Sequence, residues 1–136
     1  MKKKDDAKKE EKTFPEERMA ALRKMLEALV EMNIEFLRRH QKLTGENYPS
    51  LYDVTPKYRG PTDLGIWRDI PSIAKAGVGD ACDLVCWRIA ELRKAGFEDV
   101  YPFIKMSRMN GGGFLTTVQV RIHDMLEDPT AILAGA

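Results

Sequence analysis

Apolar residues between Leu22 and Leu37 recur three and four apart. Leu22, Met25, Leu29, Met32 and Phe36 form the line, broadened by Leu26, Val30 and Leu37 and interrupted at Asn33. That period belongs to an amphipathic helix, and Glu27, Glu31, Glu35 and the Arg38-Arg39 pair keep its other side wet. Thr13 with Glu16 three residues later makes a capping box. Pro15 falls in the first turn, where its missing N–H costs no hydrogen bond, so a helix is predicted over 13–44. A second stripe, Val85, Ile89 and Leu92 with Cys82, Cys86 and Trp87 at its margins, predicts a helix over 80–96. Asp80 is its N-cap and Gly96 its αL C′ residue.

After Gly96 the period changes to two. Val118, Val120 and Ile122 alternate with Thr117, Gln119 and Arg121, the pattern of a half-buried strand over 114–123. Val100 to Met106 is also strand-like, and Pro102 puts it at an edge or near its own beginning. Asn110-Gly111-Gly112-Gly113 between the two runs is a hairpin turn; no Lys-Ser/Thr and no helix follow, so it is not a phosphate loop. A turn at Asp124-Met125 leads to a third short strand over about 125–128. Residues 46–79 show no period. They hold prolines at 49, 56, 61 and 71, tyrosines at 48, 52 and 58, the apolar anchor Ile66-Trp67, and a short helix predicted over 71–77. The expected fold is α+β: a central helix packed on a small antiparallel sheet, with a long N-terminal helix added.

Composition narrows the function. With 136 residues the chain can bury one small core. The predicted organisation is a disordered charged tail over 1–12, a long amphipathic helix over 13–44 and a domain over 45–136. The formal charge of +1, from 22 basic and 21 acidic residues, provides no basic field for nucleic acid. No apolar run approaches the roughly 20 residues of a membrane span, and the Lys- and Asp-rich start lacks the apolar stretch of a signal peptide. A soluble protein is expected, with no membrane or nucleic-acid partner. Cys82 and Cys86 sit four apart in one helix, poorly placed for a disulfide, and read as small buried hydrophobes. Neither a metal nor a cofactor is expected.

The helix over 80–96 carries the candidate chemistry. A cysteine in the first turn of a helix has its thiolate stabilised by unpaired N–H groups and partial positive charge. Gly79-Asp80-Ala81-Cys82-Asp83-Leu84, followed by Trp87-Arg88 and Ala90-Glu91-Leu92-Arg93, resembles the nucleophile helix of small bacterial and phage transglutaminase-like proteins, relatives of the papain-like cysteine hydrolases. Upstream, Pro49 to Asp53, Lys57-Tyr58-Arg59 and Trp67 to Pro71 are similar to the approach to that helix. Downstream, Leu126-Glu127-Asp128-Pro129-Thr130 is similar to the closing segment. The resemblance covers residues 48–136.

It implies a transglutaminase-like or papain-like core whose chemistry has been lost. Ala81 falls where the cysteine belongs, and Thr117 (or Thr116) where a histidine opens the strand. Of the Cys/His/Asp set only Asp128 remains, so no catalytic set is intact. A shifted set of Cys82, His123 and Asp128 would need Cys82 to turn about 100° around its helix. It would also need His123 to cover the roughly 20 Å that six strand residues span. The implied function is that of a pseudoenzyme, a structural or assembly protein, with a phage virion component as its concrete form and a cytoplasmic or virion-associated location. Protein partners or a second copy would meet Leu22, Met25, Leu29, Met32 and Phe36. The alternatives are an active cysteine hydrolase or acyltransferase with the shifted set, and a non-catalytic module that binds a peptide in the old cleft through Tyr58, Trp67 and Asp128.

Overall fold

A computed structural model of the chain describes residues 2–59 and 67–135, with side chains from Glu16 onward. Pro61 and Ile66 of the central irregular stretch lie outside the described residues. The molecule is mixed α and β. Helix α1 (Lys2–Thr44) and an antiparallel sheet of β3 (Val100–Arg108), β4 (Phe114–Ile122) and β5 (Met125–Glu127) enclose the central helix α4 (Ala81–Lys94).

Burial explains why α4 is central. Leu84, Val85, Cys86, Trp87, Ile89 and Ala90 are all buried, so this helix has core on nearly every side, more than its three-residue stripe requires. Its start is fixed by a reciprocal box. Asp80 accepts from the Asp83 N–H at 3.0 Å, and the Asp83 carboxylate accepts from the Asp80 N–H at 3.2 Å. Gly96, at φ 107°, takes the left-handed position after the helix.

Helix α1 runs without a break from Lys2, through the position read as the Thr13 cap. Lys, Glu and Ala are strong helix formers, and a helix already nucleated over its apolar part extends without a new nucleation cost. The stripe read as an interface divides between core and surface. Leu22 and Leu29 are buried in the molecule's own core with Leu26, Val30, Ile34 and Leu37, while Met25 (49% exposed) and Met32 (57%) face outward. Phe36 is half-buried and meets Tyr48 edge-on, ring centroids 5.1 Å apart. Asn33 is fully buried and functional in the fold: its Oδ1 accepts from the Ile70 N–H at 2.9 Å, at the start of α3 (Ile70–Ala76).

Strand β3 pairs with β4 from Val100↔Ile122 to Arg108↔Phe114, and β4 pairs with β5 over Val120↔Glu127 to Ile122↔Met125. Val118 and Val120 point into the core. Three small elements complete the chain. Helix α2 (Leu51–Val54) is capped by Ser50, and α5 (Pro129–Ala134) is capped by Asp128. The two-residue strands β1 (Lys57–Tyr58) and β2 (Val78–Gly79) pair in parallel.

Candidate functional site

The start of α4 opens into a cleft of about 720 Å³. Ala81, the first residue of the helix, is on its wall, with Thr117 and Gln119 from β4, Asp128 and Thr130 from the α5 cap, and Tyr58 from β1. Phe103, Leu115 and Leu126 supply apolar walls and Lys105 a cation. The three positions read from the sequence as a lost catalytic set, Ala81, Thr117 and Asp128, are thus brought to one place.

Each is held there for a local reason. Gly79 lets the chain pass close to α4: a Cβ there would lie 3.2 Å from Leu84 Cδ2 and 3.3 Å from Asp83 Cβ. The β1–β2 pairing then sets Tyr58 beside Gly79. Burial raises the Tyr58 hydroxyl above its ordinary range, and the carboxylates of Asp128 and Asp80 push the same way. Asp128 is fixed as a helix cap. Its Oδ1 accepts from the Thr130 hydroxyl at 2.6 Å and from the Thr130 N–H at 3.1 Å.

The residue that meets Asp128 is Gln119 rather than Thr117. Gln119 Nε2 donates to Asp128 Oδ2 at 3.4 Å, whereas the Thr117 hydroxyl donates to the Lys105 carbonyl at 3.4 Å. Continuing the β4–β5 register by one residue sets Gln119 across from Asp128. The resemblance had marked Thr117 (or Thr116); the register with β5 instead sets Gln119, two residues beyond Thr117 and on the same face, beside Asp128. A carboxamide there can orient Asp128 and a bound group, but it does not take up a proton as an imidazole does.

The shifted set is not brought together. Cys82 turns into the core beside the cleft residue Ala81, and Cys86 is buried with its Sγ 3.5 Å from the Leu26 carbonyl. Burial pushes the Cys86 thiol well up, the opposite of an activated nucleophile. Neither cysteine forms a disulfide. His123 ends β4 at φ 55°, its Nδ1 lies 3.1 Å from Asp99 Oδ2, and it lines a different groove with Tyr101 and Arg121. Of the proposed binding residues, Tyr58 and Asp128 line the cleft, while Trp67 is packed against the core.

Two sets of side chains that carry the cleft have weak sequence signals. Asp83, fully buried, accepts from the Arg68 N–H at 2.8 Å and so ties the incoming chain to α4. Burial raises its carboxyl to about 6, against the lowering effect of the N–H groups of Arg68 and Asp80. Glu127, the neighbour of Asp128, accepts from Arg88 Nε at 2.7 Å and from the Tyr52 hydroxyl at 2.6 Å. Arg88 also pairs with Glu91 at 3.1 Å, and the Glu91 carboxylate accepts from the Leu51 N–H at 3.2 Å. The three-residue spacing of Arg88 and Glu91 was readable as a helix pair; their partners 39 and 40 residues away were not.

Among the described residues, no group of three or more His, Cys, Asp or Glu side chains is set to hold a metal ion, and no helix is long and apolar enough to cross a membrane. Compared with protein-family models, curated proteins and solved structures, the chain matches none.

Proposed function

We propose that this protein is a catalytically silent relative of the transglutaminase-like cysteine hydrolases, acting as an interaction module whose cleft binds a polypeptide without turning it over. One observation carries the reading: Ala81, Gln119 and Asp128 line a single cleft at the N-terminus of the central helix, with Gln119 hydrogen-bonded to Asp128. On this reading they stand in place of a nucleophile, its base and the orienting acid, a methyl and a carboxamide replacing the two groups that react. The structural or assembly role follows from the same loss, and a virion is one setting in which such a module would serve. The exposed Met25 and Met32 offer α1 a small adaptable contact, but most of its stripe is spent on the core.

Restoring the missing groups tests the assignment. The Ala81→Cys/Gln119→His double variant is expected to react with iodoacetamide at pH 7 at least tenfold faster than Ala81→Cys alone. An imidazole within reach of the thiol lowers its pKa, and the thiolate is the reacting form. Equal rates would show that positions 81 and 119 are not partners, and the reading would fail. The unaltered chain, incubated with a glutamine-containing peptide and a primary amine, is expected to leave both unchanged by mass spectrometry.

A further inference from the structure

Strand β4 is paired unequally on its two edges. The His123 N–H bonds to the Asp99 carbonyl and the Met109 N–H to the Gly113 carbonyl; with the β3–β4 register, odd-numbered residues of β4 direct their main-chain groups at β3. Even-numbered residues direct theirs at the other edge. There β5 covers Val120 and Ile122 and goes no further, since it is three residues long. No described residue pairs with the main chain of Phe114, Thr116 and Val118 on that edge. Thr116 and Val118 lie on the wall of the cleft, with Ala81 and Asp128. Among the described residues, this unpaired edge and the cleft are one place.

We infer that the cleft takes its partner as an extended peptide strand that adds to the β4 edge over residues 114–118, in line with β5. This rests on reading the cleft as a binding site and gives the partner a chemistry. Donors and acceptors alternating along an edge are matched by an extended main chain, and β5 already occupies the next part of the same edge in that way. An added strand sends successive side chains to opposite faces. One set would lie on the side of Leu115, Phe103 and Leu126; the other would point toward Ala81, whose small side chain leaves room. The partner is therefore a segment with β-branched or apolar residues at alternate positions. In the free protein, the open edge is the kind of template that invites pairing.

The test uses the full chain and a displayed library of random decapeptides. Selected binders are expected to shift the amide resonances of Phe114, Thr116 and Val118 above all others. N-methylation of alternate peptide bonds in a binder is expected to weaken it at least tenfold on one alternation and little on the other, because only one set of N–H groups faces β4. Thr116→Pro removes an open-edge donor while sparing the bonds to β3, and is expected to weaken binding by a similar factor with the thermal midpoint retained. The N-methyl series needs no variant protein, so it stands even if Thr116→Pro fails to fold. Binders that shift other amides, binders indifferent to N-methylation, or a library that yields none would each overturn the inference. So would amides at 114, 116 and 118 that are already protected from exchange in the free protein. Cleavage or modification of a peptide bound on this edge would instead overturn the catalytically silent reading and leave the docking mode intact.

Discussion

Asp83 shows how one buried carboxyl shapes both the site and the stability of this protein. Its pKa is raised to about 6 because burial disfavours the charged form, while in an unfolded chain it titrates near 3.8. The native state therefore holds this proton more tightly than the unfolded state between those values. Stability from this group is greatest below pH 4, falls as pH rises to about 6, and is flat above. Two pH units correspond to about 3 kcal/mol. Other groups titrate in the same window, so the measurement is a difference: urea unfolding from pH 4 to 7 for the native chain and for Asp83→Asn. The native chain is expected to lose more stability over that range than the variant; parallel curves would refute the assignment. Gly79→Ala acts nearby by contact. A methyl there meets Leu84 Cδ2 at 3.2 Å and Asp83 Cβ at 3.3 Å, so each must give by a few tenths of an ångström. Both are fully buried and closely held, and overpacking that they cannot relieve costs about 1–3 kcal/mol.

At the scale of elements, α1 is a wall of the core before it is anything else. At about 100° per residue, Met25 and Met32 lie roughly 60° to one side of Leu22 and Leu29, while Leu26, Val30 and Leu37 lie to the other side. The face centred on Leu26, Val30 and Leu37 is the one that packs, so Leu22 and Leu29 are buried at its margin and the two methionines face outward. Leu26→Ala is expected to cost about 2–5 kcal/mol in denaturant unfolding, against about 0.5 kcal/mol or less for Met32→Ala. Equal costs would mean that the two faces are equally engaged. A chain beginning at Thr44 is expected to lose its fold, since Trp87 and its neighbours on α4 would lose their cover. The ends of α4 and the three strands were legible because caps, glycines and a period of two are short-range signals. Ser50 before α2 and Asp128-Pro129 before α5 carried start signals too, but these helices have only 4 and 6 residues, too few for a period to show. The β1–β2 pair and the meeting of Gln119 with Asp128 are products of register between distant segments, and no local pattern encodes them.

The whole molecule is joined by charge as well as by the core. Arg88 on α4 reaches Glu127 on β5, Tyr52 on α2 donates to the same carboxylate, and the guanidinium stands 4.9 Å from the Tyr52 ring centroid. A second clamp, Arg93 bidentate on Glu27 at 2.7 and 2.9 Å, ties α4 to α1. Surface ion pairs contribute little, but Arg88 and Glu127 are each only about one-fifth exposed, and a partner left alone there keeps most of its desolvation cost. The distinction can be measured with a double-mutant cycle. Arg88→Ala and Glu127→Ala are each expected to destabilise by about 1–3 kcal/mol. The double variant is expected to cost less than their sum by about 1–2 kcal/mol, because its partner charge goes with it. Glu127 is the last residue of β5 and Asp128 the cap of α5, so this pair also fixes where the β4 edge stops being covered and the cleft begins. The Glu127→Ala variant should therefore weaken peptide binding as well as stability, whereas Glu27→Ala, on the far clamp, should lower stability alone. If both variants weakened binding in proportion to lost stability, the network would be merely a staple of the fold. A loss confined to Glu127→Ala would make it the element that shapes the site.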